Sequence, residues 1–204
     1  MRSTSHHRPV GRGSVSNPAN RFERMHIELD PVATHAAAVE GEGQQPALRT
    51  EFFDDRTSTV ITRNTSPDIG FEFSLNPYRG CEHGCAYCYA RPYHEYLGFS
   101  AGLDFESRIM VKREAPALLR QELMKKSWKP SVLVMSGVTD CYQPVERHLK
   151  ITRGCLEVLL EFRNPVGIIS KNRLVARDAD LLRELERLGA ARVTLSITTL
   201  DAEL

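Results

Sequence analysis

The chain has 204 residues, 41% of them apolar, and a formal net charge of +1. This suits one folded domain, or one domain with a tail, and no apolar run approaches the roughly 20 residues that span a bilayer. No short apolar core with a small-residue cleavage site opens the sequence, so a secretory signal is not expected. Of the five cysteines, three fall within eight positions. Disulfide frameworks spread cysteines out, so this clustering points to metal in a reducing compartment, and the expected location is cytoplasmic.

Residues 1–50 read as a basic tail and linker. In residues 1–25, Arg2, Arg8, Arg12, Arg21 and Arg24 stand against Glu23 alone, a local net charge of +4. A basic arm can touch nucleic acid, but a solvated flexible segment accounts for it, and for His6 and His7, more simply. Residues 41–46 have a linker composition. The folded core is expected over residues 51–204. Residues 54–66 are polar and Thr-rich and read as a short β-ribbon. Residues 71–75 alternate apolar and polar, as a strand leading into the cysteine loop would.

Downstream, a helix is predicted over residues 114–126, with Ala115, Leu118, Leu119 and Leu123 at helical spacing and Pro116 in its tolerant first turn. The apolar run 131–137 reads as a strand buried on both faces. A second helix follows over 147–162, with Ile151, Cys155, Val158, Leu159 and Phe162 inward. Then come a strand over 166–170, a helix over 178–188 and a strand over 192–198. The third helix turns Leu181, Leu182, Leu185 and Leu188 inward and stops at Gly189.

This alternation predicts an α/β fold with a parallel sheet, open or closing into a barrel. In barrels the site lies at the C-terminal ends of the strands. The cysteine loop, Thr139-Asp140, Ser170-Lys171 and Ser196-Ile197-Thr198-Thr199 all follow predicted strands. About four such strands are present against eight in a complete barrel. The sequence therefore reads as C-terminally truncated, or as one whose last strand is covered by a partner chain.

The chemistry centres on Cys81, Cys85 and Cys88, spaced C-x3-C-x2-C in the run Asn76-Pro77-Tyr78-Arg79-Gly80-Cys81-Glu82-His83-Gly84-Cys85-Ala86-Tyr87-Cys88-Tyr89-Ala90. Three thiolates on one short loop can hold three irons of a four-iron, four-sulfur (4Fe-4S) cluster, leaving one iron without a protein thiolate. Open coordination positions are where metal sites do chemistry.

This spacing, with Tyr87 just before the last cysteine, resembles the signature of the radical S-adenosylmethionine (radical SAM) superfamily. The segments Asn76-Pro77-Tyr78-Arg79-Gly80-Cys81 and Gly137-Val138-Thr139-Asp140…Tyr142-Gln143-Pro144…Glu146 resemble the spore photoproduct lyase-like branch and its uncharacterised relatives. Gly11-Arg12-Gly13…Asn17-Pro18…Asn20-Arg21-Phe22-Glu23 resembles a subset of those relatives. The resemblance implies a partial parallel (βα) barrel of radical SAM type, with about the first four strands present. It implies an enzyme that holds a 4Fe-4S cluster through Cys81, Cys85 and Cys88. Such an enzyme takes an electron from a donor such as a flavodoxin or ferredoxin and reductively cleaves S-adenosyl-L-methionine to a 5′-deoxyadenosyl radical.

By matching position, the resemblance implies that Tyr87 flanks the adenine and that Thr139 and Asp140 handle the methionine amino group. Lys171 meets the methionine carboxylate, and Ser196 approaches the ribose. Gly137-Val138-Thr139-Asp140 stands where the family often has Gly-Gly-Glu. Cys141 falls in the neighbourhood where spore photoproduct lyase is thought to use a cysteine as hydrogen donor. The sequence does not identify the substrate; a nucleic-acid lesion is the candidate that the analogy offers.

A second reading stays open at this point. With His83 or His94 as a fourth ligand, the cysteines would form a zinc site, and the protein a non-catalytic zinc- or cluster-binding module that contacts nucleic acid through its tail. Cys155 falls in the apolar phase of a helix and reads as core. Cys141 also reads as a plain loop residue, Asp140 as a helix cap, Lys171 as a solvated lysine and Ser196 as packing. Tyr89, Tyr93 and Tyr96 can stack on a base, though such tyrosines more often line a lid or a core edge.

Overall fold

The computed structural model describes residues 11–22 and 48–200. His6, His7 and the linker expected over residues 41–46 lie outside them. In chain order, β1 (Glu51–Asp54), β2 (Ile61–Arg63), β3 (Phe73–Leu75) and β4 (Tyr78–Arg79) come first. The cysteine loop and a 3-10 helix (Arg91–Leu97) lead to α1 (Leu103–Ser107), β5 (Arg108–Val111) and α2 (Ala115–Leu123). Then follow β6 (Leu133–Met135), α3 (Glu146–Leu149), α4 (Ile151–Glu161) and β7 (Val166–Ser170). A 3-10 helix (Arg173–Asp178), α5 (Ala179–Arg187) and β8 (Ala191–Leu195) complete the order.

Strands β3, β6, β7 and β8 lie side by side and parallel, with β2 antiparallel on the outer edge of β3. The fold is thus mixed α/β with a helical crossover between successive parallel strands, as the alternation predicts. Leu75, Met135 and Ile168 share one register row, on which β3 and β6 end, while β7 runs two residues further to Ser170. A second sheet has the order β1-β5-β4.

Period-2 alternation on the strands meets helical spacing on the helices to make the core. Leu133, Met135, Val166 and Ile168 share one cluster with Ala115, Leu119 and Leu123 of α2, Cys155, Leu156 and Leu159 of α4, and Leu185 of α5. Each fully buried Leu or Ile here contributes roughly 1.5–3 kcal/mol. All three residues of β6 are buried, as expected of a strand covered on both faces.

Four expectations are corrected. Residues 54–66 do not form a ribbon: β1 pairs parallel with β5, and β2 pairs with β3. Each segment finds a different sheet edge rather than its neighbour in sequence. The helix expected over 147–162 is broken at Lys150, which adopts a left-handed conformation with φ 53°. The break lets the Glu146 carboxylate accept from Thr152 N at 3.1 Å and cap α4. Leu188, expected inward, is half exposed, because the helical conformation ends at Arg187.

The tail is the fourth correction. Residues 11–22 pack on the cysteine-loop region through long-range contacts. Asn17 Nδ2 donates to Asp104 Oδ1 at 2.9 Å, and Asp104 N donates back to Asn17 Oδ1 at 3.0 Å. Asn20 Nδ2 donates to Glu95 O at 2.9 Å, and Phe22 stacks on Tyr96 at 4.8 Å.

Candidate metal centre

Two segments about sixty residues apart lock together and fix the shape of the cysteine loop. Asn76 Oδ1 accepts from Val138 N at 3.0 Å. Thr139 Oγ1 donates to Tyr78 O at 3.0 Å, and the Tyr78 hydroxyl donates to the Glu146 carboxylate. Gln143 Oε1 accepts from Glu82 N at 2.9 Å, while Glu82 Oε2 accepts from Val145 N at 2.7 Å. Cys81 sits between these anchors, with its own N–H donated to Phe105 O at 2.9 Å.

The far side of the loop hangs on Arg91. Its guanidinium donates to Gly84 O at 2.6 Å, Cys85 O at 3.0 Å and Gly102 O at 2.9 Å. Its charge is met by the fully buried Glu106 at 3.1 Å. Glu106 also accepts from Gly13 N at 3.1 Å, so residues 11–22 brace the loop from behind. Gly13 is needed for this close approach, since a Cβ there would stand 1.8 Å from Gly84 O.

The three cysteines are free thiols. Cys81 is buried, and burial pushes its thiol up to about 12. A thiolate there requires a cationic partner, which is what a bound metal supplies. Among the described residues no three His, Cys, Asp or Glu side chains converge on a single ion. Thiolates on three separate irons need no such convergence. By donor type alone, three cysteines on one loop, Cys81, Cys85 and Cys88, are residues that would hold three irons of a cluster.

Lys171, just past the end of β7, reaches this loop. Its Nζ donates to Cys85 Sγ at 2.9 Å and to Tyr87 Oη at 3.0 Å, and these hydrogen bonds raise its pKa above the ordinary lysine range. Its backbone is fixed by Asp140, whose Oδ2 accepts from Lys171 N at 3.0 Å. Asp140 also accepts from Ser170 Oγ at 2.8 Å and from Tyr142 N at 2.9 Å. His83 Nε2 stands 3.4 Å from Asp140 Oδ2, an ion-pair distance without hydrogen-bond alignment. Burial acts to raise the Asp140 pKa, but His83 and the two backbone N–H groups outweigh it and hold the carboxyl below its usual range.

Of the residues singled out from sequence, Cys85, Tyr87, Asp140 and Lys171 are thus joined in one network. Tyr87 is 71% exposed beside Lys171. Ser196 is exposed past the end of β8, its N–H donated to Ser170 O at 2.8 Å. Thr139 is buried, with its hydroxyl committed to Tyr78 O. Cys141 is placed otherwise than expected of a hydrogen donor facing a cavity. It is fully buried in the main core, its carbonyl accepts from Thr152 Oγ1 at 2.6 Å, and burial raises its thiol well above the usual range. The apolar demand of that position outweighs its proximity in sequence to Asp140.

Sequence reasoning missed the bracing roles of Arg91, Glu106 and Gln143. Their partners lie 6 to 93 residues away, so no local period marks them. For Gln143 and Glu146 a signal existed in the run Tyr142-Gln143-Pro144…Glu146, which carries polar groups where a loop has no need of them.

The sequence pattern of the radical SAM superfamily matches residues 75–204. The chain belongs to that superfamily. It is 37% identical over 136 residues to the uncharacterized protein Rv2578c of Mycobacterium tuberculosis, covering 67% of this chain and 40% of that protein. The uncharacterized protein Mb2609c of Mycobacterium bovis matches to the same extent. The uncharacterized protein MJ0683 of Methanocaldococcus jannaschii is 30% identical over 135 residues, covering 66% of this chain and 48% of its own length. The match thus spans less than half the length of each of these relatives. No solved structure matches the chain. Among the described residues, no helix is long and apolar enough to cross a membrane.

Proposed function

We propose that this chain is the N-terminal part of the βα barrel of a cytoplasmic radical SAM enzyme, with Cys81, Cys85 and Cys88 holding a 4Fe-4S cluster. When bound, the cluster supplies the electron that breaks a carbon–sulfur bond of S-adenosyl-L-methionine, releasing methionine and a 5′-deoxyadenosyl radical. The observation that carries this reading is the meeting of Lys171 with Cys85 and Tyr87 at the C-terminal ends of the parallel strands. There the ammonium of Lys171 can bind the methionine carboxylate, the ring of Tyr87 can flank the adenine, and Ser196 lies at the same edge for the ribose. Asp140 acts through others: it holds the Lys171 backbone and, with Thr139, the loop that frames the site.

The reductant in this reading is a small carrier protein, a flavodoxin or ferredoxin. The shared segments around Asn76 and Tyr142 support a place in the spore photoproduct lyase-like branch, and a nucleic-acid lesion is the substrate class that such a place would suggest.

The test is anaerobic reconstitution of the chain with iron and sulfide. About four irons per chain, and a cluster spectrum that shifts when S-adenosyl-L-methionine is added, are expected. Reduction should then release 5′-deoxyadenosine. One tightly held zinc with no spectral shift would replace this reading with that of a non-catalytic module.

A further inference from the structure

A separate cavity of about 260 Å³ lies beside the cysteine loop, bordered by Asn76, Arg79, Tyr93, His94, Tyr96 and Lys112. Cys85, Tyr87 and Lys171 do not border it. Ala90, Phe105 and Val138 do, and these three also form the small apolar cluster that packs with Cys81 and Cys88. The cavity and two of the cysteines thus share these three side chains.

The charge lining the cavity is unbalanced. Lys112 is only 7% exposed, and among the described residues its ammonium makes no hydrogen bond or ion pair. The carboxylate that acts on it, Asp55, is already paired with Arg79, whose Nε lies 2.8 Å from Asp55 Oδ2. Two cations thus face one anion. Burial, and then Arg79, depress the Lys112 pKa, and Asp55 only partly opposes them. His94 adds a second incomplete group, since its ring is 2% exposed and Nε2 has no partner. Buried charges and polar groups are stable when paired, and although Asp55 acts on Lys112, no direct hydrogen bond or ion pair joins them among the described residues.

The rest of the lining is aromatic. Tyr93 and Tyr96 lie 6.4 Å apart and are both exposed. The ring of Phe22 stacks on Tyr96 and holds it in place. Aromatic faces beside a buried cation select a flat ligand that carries negative charge.

We propose that this cavity binds a small aromatic anion, with its phosphate or carboxylate against Lys112 and its ring against Tyr93 and Tyr96. Its wall is shared with the packing of Cys81 and Cys88, so an occupant would act on the cysteine loop through Ala90, Phe105 and Val138, a step that rests on the function proposed above. The binding itself does not.

The test is calorimetric titration of the whole chain, with and without iron, using phenyl phosphate, benzoate, inorganic phosphate and benzyl alcohol. Phenyl phosphate or benzoate should bind at least about tenfold more tightly than inorganic phosphate and than neutral benzyl alcohol. The better of the two names the anionic group. Lys112→Met should weaken that ligand by at least about tenfold, and Lys112→Arg should retain most of the binding. Tyr93→Leu, at an exposed position away from the Phe22 stack, should bring phenyl phosphate down toward inorganic phosphate. Equal affinity in the native protein and Lys112→Met, or no preference for anions over benzyl alcohol, would overturn the site. Anion binding in a protein that takes up no iron would defeat the cluster reading and leave this site standing; iron uptake without anion binding would do the reverse.

Discussion

Lys171 Nζ lies 2.9 Å from Cys85 Sγ, although 86 residues separate the two in the chain. One parallel strand, β7, and one carboxylate, Asp140, bring them together. The lysine thus stands at the cysteine loop without being able to ligate iron in its charged form.

Replacing Lys171 with Met should leave iron content unchanged while weakening S-adenosyl-L-methionine. Loss of a charge-assisted hydrogen bond is worth about 1.5–3 kcal/mol, or roughly 10- to 100-fold in affinity. Iron per chain and cofactor affinity, measured on the same sample, check this. Unchanged affinity would remove Lys171 from the cofactor site.

The cysteines should separate into two classes. Cys85→Ala should abolish cluster assembly. Cys141→Ala should keep the iron, because Cys141 belongs to the core, and should cost about 1–2 kcal/mol of stability for the small volume lost. Iron analysis with urea unfolding distinguishes them, and loss of iron in Cys141→Ala would show that its burial hides a ligand role.

The brace formed by residues 11–22 should matter to a loop it never ligates. Gly13→Val places a side chain against Gly84 O and should lift the arm, speeding iron loss without touching a cysteine. Glu106→Ala leaves the Arg91 guanidinium, only 11% exposed, without its carboxylate and should cost about 3 kcal/mol or more. Iron release into a chelator reads the first and urea unfolding the second. A Gly13→Val protein that holds iron as long as the native one would make the arm incidental.

His94 should make stability fall in mild acid. Burial lowers its pKa from 6.5 to about 4, against opposing contributions from Asp104 and the Arg108 backbone. Between those values the unfolded chain takes up a proton that the folded ring refuses, so this contribution is complete above about pH 6.5 and declines as the pH falls toward 4. By pH 5 the loss is on the order of 2 kcal/mol. His94→Phe, which suits a ring packed against Phe99 and Phe105, should flatten that decline in urea midpoints measured at pH 7 and pH 5. An identical slope in both proteins would assign the pH dependence elsewhere.

What the amino-acid order alone determined was β3, the alternation of helices and strands from α2 to β8, and the cysteine trio. Strand alternation, helical spacing and C-x3-C-x2-C are short-range patterns, each visible within about a dozen residues. Tertiary structure decided which residues serve that trio. It drew Lys171 to Cys85, turned Cys141 into the core, and set Asn76, Tyr78 and Gly80 against the loop from Val138 to Glu146. It also seated residues 11–22 on Glu106. Those outcomes depend on contacts between segments some sixty to ninety residues apart, made by buried polar groups that must be paired wherever the fold brings them.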